Sequence, residues 1–175
     1  MRRRFEKRVY IALPEPVART AMFKLNLGDT PNSLTDQDFA TLGDQAEGYS
    51  GSDVAVVVRE ALMEPLRKCQ TAKQFIIDRD GWYLPCTSYP NCLQCPMALH
   101  TPLQGANCAP PSVNTQCTSC GAMRMSLYDV PGELLKVPVI DMNDFLKALK
   151  RAHSSVGADE LERFVTWTEE FGQDG

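Results

Sequence analysis

Two short runs, one basic and one rich in glycine, constrain the fold of this chain more than any other feature. Residues 2–8 read Arg-Arg-Arg-Phe-Glu-Lys-Arg, and the alternating β-branched and aromatic side chains of residues 8–13 predict a strand directly after them. Residues 48–53 read Gly-Tyr-Ser-Gly-Ser-Asp and open a helix. Such a turn presents free backbone amides at the positive end of the helix dipole. The two runs therefore predict a sheet element followed by a helical domain.

Periodicity and capping residues predict two helices between these runs. Pro16 suits the first turn of one helix, which Gly28 ends. Thr35 begins the next, because its hydroxyl can cap the amide of Asp38, and Gly43 is expected to end it. Leu34 is placed to pack against Phe39 as a hydrophobic staple.

The helix that follows residues 48–53 is amphipathic and contains a proline. Pro65 is expected to kink this helix or to end it soon afterwards. Its apolar face consists of Val54, Val57, Val58, Ala61 and Leu62.

A short sheet and two more helices are predicted in the second half. Residues 75–84 indicate a hairpin with Asp80-Gly81 as its turn, and residues 123–127 alternate and could pair with it. Residues 85–121 have no clear period. Asp141 caps a helix, and a last helix begins near Ala158. The apolar faces of these two helices are Met142, Phe145, Leu146 and Leu149, and Leu161, Phe164, Val165 and Phe171.

Composition and charge exclude several classes of protein. The chain of 175 residues is 43% hydrophobic, which is enough for a core, and its net charge of −4 gives no general attraction to nucleic acid. No apolar run approaches the length of a membrane span, and no apolar stretch of a secretory signal follows the basic N-terminus. A reducing compartment is therefore expected, in which metal binding or free thiols are favoured over disulfides.

Six of the seven cysteines lie between Cys86 and Cys120, and four of them form two C-x-x-C pairs. Paired knuckles of this kind can supply the four soft ligands of a tetrahedral Zn²⁺. The irregular composition around the pairs is equally typical of an insertion into a β domain or of a translated intron, and we favour it over a zinc site. The candidate ligands are Cys92, Cys95, Cys117 and Cys120.

Five separated motifs, in order, resemble the C-terminal part of the meiotic-clade AAA ATPases, which include katanin, spastin and fidgetin. The similarity is greatest to the vacuolar protein sorting ATPase that takes apart ESCRT filaments. It covers residues 1–84 and 121–175. The motifs are the basic run at 2–8, Leu-Pro-Glu-Pro at 13–16, Glu-Gly-Tyr-Ser-Gly-Ser-Asp at 47–53, Val-Arg-Glu-Ala-Leu-Met-Glu-Pro at 58–65 and Phe-Gly-Gln-Asp-Gly at 171–175.

The resemblance implies a mainly α fold: the small helical lid domain of an AAA module, with an inserted small β domain and a C-terminal helix. The last strand of the large α/β AAA subdomain would precede it. The implied divisions are the arginine segment and strand (1–15), the lid helices (16–74), the β-domain insertion (75–130) and the closing lid and oligomerisation helices (131–175).

The resemblance also implies roles for individual residues. Two arginines among Arg2, Arg3 and Arg4 would reach the ATP site of a neighbouring subunit as fingers, since a guanidinium is planar, always charged and bidentate. Alone, the run is equally typical of a solvated basic stretch.

Four further residues would lie at the chain's own nucleotide, Gly51 and Ser52 over the adenine and ribose, and Met22 and Asn26 beside the base. The residues alone indicate an ordinary helix cap at Gly51 and Ser52, a core position for Met22 and a C-terminal cap for Asn26. Trp82 and Tyr83 would either bind an activator protein or form the core of the β domain.

The implied parent is a cytoplasmic ring, a hexamer of AAA subunits, that hydrolyses ATP with Mg²⁺ and disassembles ESCRT filaments in endosomal and multivesicular body sorting. It would be recruited peripherally to endosomal membranes. No Gly-x-x-x-x-Gly-Lys-Ser/Thr motif and no Walker B pair occur here, so the chain alone is expected not to hydrolyse ATP. The alternatives are a non-enzymatic adaptor or dominant-negative partner of the intact ATPase, and a zinc-ribbon module that binds nucleic acid.

Overall fold

Residues 11–86, 116–117 and 121–171 are described by the computed structural model, and they fall into two units. The helical unit draws its described residues from Met1–Leu62 and Ile140–Gly175, and the sheet unit draws its own from Met63–Val139. Within these described ranges, no helix combines the length and the hydropathy needed to cross a membrane.

The helical unit begins with three helices whose starts follow local chemistry. Helix α1 (Pro16–Leu27) has proline in its first turn and ends at Gly28, whose φ is 56°. Helix α2 (Asp36–Gln45) begins with a capping box, in which the Asp38 amide donates to Thr35 Oγ1 at 3.2 Å. Helix α3 (Gly51–Thr71) begins within residues 48–53, as predicted. The predicted cap at Thr35 is thus confirmed.

Two helices near the C-terminus complete the helical unit. Helix α4 (Met142–Arg151) begins at the predicted cap, Asp141, and its capping box includes Asp144. Helix α5 (Ala158–Phe171) follows a link of irregular backbone at residues 152–157. Gly172, predicted to close α5, lies outside the described residues.

The core of this unit lies among α1, α2, α3 and α4. Phe145 is fully buried, and its ring meets that of Phe23 edge to face, with centroids 6.1 Å apart. Leu34 is half-buried against the cluster that contains Phe39, as a staple would be. The predicted faces of α3 and α4 point into this core. The buried side chains of the cluster are Phe23, Leu27, Phe39, Leu42, Ala46, Val54, Val57, Val58, Ala61, Ile140, Phe145 and Ala148.

The prediction that Gly43 ends α2 is wrong. The helix continues to Gln45, and Gly43 is buried in its last turns. A Cβ at this position would meet the Thr20 hydroxyl and would lie 2.7 Å from the carbonyl oxygen of Pro16. The glycine therefore serves the close approach of α1 and α2 rather than a helix end.

A buried arginine joins the same two helices. The Arg19 side chain donates from Nε to the Gly43 carbonyl at 2.8 Å and from a terminal nitrogen to the Pro14 carbonyl at 2.7 Å. These bonds satisfy a guanidinium that is only 5% exposed, which would otherwise be costly to bury.

Pro65 lies inside α3 rather than at its end. The helix runs six residues beyond it, to Thr71. Proline removes one helical hydrogen bond because it has no N–H. The side chain is buried, however, so tertiary packing offsets that loss here.

The sheet unit contains the predicted hairpin and a short third strand. Strand β1 (Gln74–Ile77) pairs antiparallel with β2 (Tyr83–Pro85) on one side and with β3 (Met123–Arg124) on the other. The register pairs Ile76 with Leu84 and Phe75 with Met123. At the turn, Gly81 has a φ of 87°, and its amide donates to the carbonyl of Asp78.

Part of the predicted N-terminal strand falls within the described residues. Residues 11–13 are not in a strand, and residues 8–10 lie outside the described ranges. A strand needs a neighbour to complete its backbone hydrogen bonds, and no described segment pairs with residues 11–13.

Candidate functional site

Several hydrogen bonds hold the turn that opens α3, residues 48–53, which is called here the α3 turn. Ser50 and Asp53 form a reciprocal cap, because the Ser50 amide donates to Asp53 Oδ2 at 2.9 Å and the Asp53 amide donates to Ser50 Oγ at 3.3 Å. Gly48 adopts a positive φ of 75°, which favours glycine. These bonds stabilise the conformation of the turn at the N-terminal end of α3, a helix of 21 residues.

Met22 of α1 lies against this turn. A Cβ built on Gly51 would lie 3.6 Å from the Met22 sulfur and 3.8 Å from its methyl carbon. These distances are those of van der Waals contact, so the Met22 side chain lies close to Gly51. The structure thus brings together two of the four residues predicted at the nucleotide, and their role stays a prediction.

Asn26 and Ser52 make only local contacts. Asn26 Nδ2 donates to the Met22 carbonyl at 2.8 Å, one turn back along α1. Ser52 Oγ lies 2.9 Å from Ser50 Oγ, and its side chain is exposed at the start of α3. Asn26 is not the predicted cap of α1, since the backbone of Gly28 makes the terminal bond to Lys24.

The link between α4 and α5 (residues 152–157) is bonded to the α3 turn in a way that the sequence analysis missed. Tyr49 Oη donates to the Ala152 carbonyl at 3.0 Å, and Ser154 Oγ donates to the Gly48 carbonyl at 2.8 Å. The Ser155 amide donates to Asp53 Oδ2 at 3.3 Å. The partners are more than one hundred residues apart, so no local pattern could have indicated them.

Asp53 is a buried carboxylate whose charge is stabilised in the folded chain. Burial acts to raise its pKa, but the hydrogen bonds from Ser50 and Ser155 outweigh that effect, so the pKa lies below its ordinary value. Burial and the negative charge of Asp53 raise the pKa of Tyr49. The phenol therefore stays protonated near neutral pH and remains a donor to Ala152.

We expect Asp53→Asn to destabilise the chain by about 1 kcal/mol at pH 7, the scale of one hydrogen bond. A carboxyl whose pKa falls on folding stabilises the fold above its unfolded pKa, and this contribution is lost as the pH falls through the folded value. The difference in melting temperature from the unmodified chain should therefore shrink below about pH 4. Asp29→Asn, at an exposed carboxylate, is the control. A difference that stays constant down to pH 2.5 would contradict the assignment.

The predicted arginine and metal residues fall mostly outside the described ranges. Arg2, Arg3 and Arg4 do so, as do Cys92, Cys95 and Cys120. Cys117 is described and is buried. Its amide donates to the Ala122 carbonyl, and the Gly121 amide donates to the Cys117 carbonyl, each at 2.8 Å. Among the described residues no group of three or more potential ligands converges as a metal site.

Two family models match the chain in the regions that contain these features. Residues 36–77 match the AAA+ lid domain, and this range includes α2, the α3 turn and all of α3. Residues 109–172 match the Vps4 C terminal oligomerisation domain, which includes α4, the link and α5.

Curated relatives align along the whole chain. Vacuolar protein sorting-associated protein 4B of Mus musculus is 43% identical, with all of this chain covered. The human protein 4A is 41% identical, with 99% covered. The chain spans about a third of the length of these relatives, 35% and 36% respectively.

Solved structures agree with this assignment. A chain in the crystal structure of Vps4 and Vta1 is 35% identical with a TM-score of 0.52, and the match covers 79% of this chain and 98% of that one. The FIGL-1 AAA domain in complex with ADP has a TM-score of 0.57 at 22% identity, which shows the shared fold alone; 98% of this chain and 39% of that one are covered. The chain therefore belongs to the Vps4 family of AAA proteins, as its motifs predicted, and has the lid and C-terminal oligomerisation domains of that family.

Proposed function

We propose that this chain is the lid and oligomerisation part of an AAA ATPase that disassembles ESCRT filaments in endosomal sorting. The observation that carries the proposal is the exposed apolar face of α5 within the segment that matches the oligomerisation domain. Phe164 is 55% exposed and Val165 is 43% exposed. They lie on one side of the helix with Leu161. A soluble helix with such a face gains free energy when another protein surface covers it.

A nucleotide is the proposed ligand of the α3 turn. Gly51 and Met22 lie next to each other, since a Cβ on Gly51 would be in van der Waals contact with the Met22 sulfur, and both would border the adenine. In the parent protein, ATP with Mg²⁺ would lie against this turn, with Ser52 exposed towards the ribose. Met22 and Gly51 would hold the base by van der Waals contact, and Asn26 would lie near it on the same face of α1. The phosphates would need a loop that this chain does not contain.

Further contributions to the ring follow from the family. Two of Arg2, Arg3 and Arg4 would stabilise charge on the phosphoryl group in a neighbouring subunit. The sheet unit would bind an activator protein, since Vps4 and Vta1 occur together in a matched crystal structure. Trp82 is 38% exposed and Tyr128 is 97% exposed, so this unit has aromatic groups available for an interface.

A second candidate function, a non-enzymatic partner of the intact ATPase, is favoured by the same α5 face. A subunit made of these residues alone would occupy a ring position and interrupt ATP hydrolysis at that site. The proposed cytoplasmic location, with recruitment to endosomal membranes, would be the same for both functions.

Mixing the chain with full-length mouse protein 4B tests whether it assembles with ATPase subunits. We expect co-elution in size-exclusion chromatography and a severalfold fall in the ATP hydrolysis rate as the chain is added in excess. The double variant Phe164→Asp with Val165→Asp should abolish both effects. Arg163→Asp, on the opposite side of α5, changes the net charge by the same amount and should abolish neither. Equal behaviour of the two variants, or no co-elution of the unmodified chain, would contradict the proposal.

A further inference from the structure

Three hydrogen bonds connect the α3 turn to the α4–α5 link. Two of them involve backbone carbonyls, those of Ala152 and Gly48, and the third involves the carboxylate of Asp53. Side chains of both segments act as donors, Tyr49 from the turn and Ser154 from the link. Movement of either segment alone would break all three bonds.

The link is also held at its first residue, where Ala152 packs against the core of the helical unit. It contains no helix or strand, and its own bonds are short-range ones, such as the Val156 amide to Ser154 Oγ at 3.3 Å. At its ends, Ala152 caps α4, and the Leu161 amide donates to the Gly157 carbonyl in the first turn of α5. Because α5 begins at Ala158, directly after the link, the place where the link is held sets where α5 begins.

We propose that Tyr49, Asp53 and Ser154 are positioning residues that form a latch, the set of three hydrogen bonds between the α3 turn and the link. Through the latch, binding of a ligand at the turn favours the observed position of α5, and that position of α5 favours binding of the ligand. That the ligand is a nucleotide rests on the proposed function, whereas the latch rests only on the described contacts. The coupling is reciprocal: if the closed latch strengthens ligand binding at the turn, ligand binding stabilises the closed latch by the same free energy.

Hydrogen–deuterium exchange on the chain tests the latch from both sides. Tyr49→Phe removes the bond to Ala152, and we expect exchange to rise about fivefold at the Ser155 and Val156 amides, the factor that corresponds to one ordinary hydrogen bond. Ser154→Ala removes the bond to Gly48, and we expect a similar rise at the Asp53 and Val54 amides. Each effect thus lies on the segment that was not altered.

Two control variants remove hydroxyl groups that are not part of the latch. Tyr128→Phe alters a tyrosine of the sheet unit that is 97% exposed, and Thr41→Val removes a bond to Gln37 within α2. Neither should change exchange in the turn or in the link. The latch is refuted if the rise stays within the altered segment, or if exchange rises equally throughout the helical unit, because that would be general destabilisation.

A double-mutant cycle gives an independent measure of the connection. Within one latch, the double variant Tyr49→Phe with Ser154→Ala should raise exchange at the Ser155 amide by clearly less than the product of the two single factors. Independent bonds would give that product and overturn the proposal. Neither experiment contains an ATPase or a nucleotide, so failure of the ring assignment would leave these results unchanged, and failure of the latch would leave co-assembly unchanged.

Discussion

Phe145→Ala should lower the free energy of unfolding of the helical unit by about 4 kcal/mol, the largest effect expected of any single substitution proposed. The side chain is fully buried on α4, and its removal leaves a cavity that faces the ring of Phe23. The edge-to-face contact between the two rings is lost as well. Since small domains are stable by only about 5–15 kcal/mol, urea denaturation followed by helical circular dichroism should show a clearly lower midpoint.

Phe164→Ala is the matched control for this substitution. It removes the same side chain from α5, where more than half of it is already in contact with solvent. We expect a change within about 0.5 kcal/mol. If the two variants were equally destabilised, Phe145 would not belong to the core as described.

Gly43→Ala is expected to destabilise the helical unit by about 3 kcal/mol, although alanine is ordinarily the better helix former. The new methyl group would meet both the Thr20 hydroxyl and the Pro16 carbonyl, and the latter is backbone and cannot rotate away. The two helices would have to separate, which would also strain the bond from Arg19 to the Gly43 carbonyl. Thermal denaturation would measure the loss.

Two further variants sharpen this test. Adding Thr20→Ala to Gly43→Ala removes the hydroxyl contact but leaves the backbone contact, so it should restore only part of the stability. Gly132→Ala places a methyl group where no atom lies within 4 Å and should be nearly neutral. Full restoration by Thr20→Ala would show that the backbones are not in close approach at Gly43.

The parts of the fold that depend on neighbouring residues could be predicted from the sequence. Thr35 and Asp141 cap their helices as expected, because a cap is formed by residues three positions apart. The buried faces of α3 and α4 follow from the helical period, and the hairpin follows from its Asp-Gly turn. The general assignment of the fold followed from five motifs in order, and the comparisons confirm it.

The errors arose where tertiary packing overrides a local preference. Gly43 looks like a helix end in isolation, and only the presence of α1 explains why glycine is needed inside α2. Pro65, which was predicted to kink α3 or to end it soon afterwards, lies six residues before the end of this helix. The connection from Tyr49 to Ala152 spans 103 residues, so it depends on the complete fold. The nearness of Met22 to Gly51 followed from the family resemblance and not from any spacing.

The two carbonyl bonds of Arg19 have a mechanical consequence for the polypeptide that leads into α1. One guanidinium holds both Pro14 and the last turns of α2, so rotation of the helical unit would carry Pro14 with it as part of the same rigid piece. A bend between Pro14 and α1 would cost the buried guanidinium the Pro14 carbonyl, one of its two described acceptors. Pro14 is therefore expected to keep its position relative to α1 and α2 when the helical unit moves.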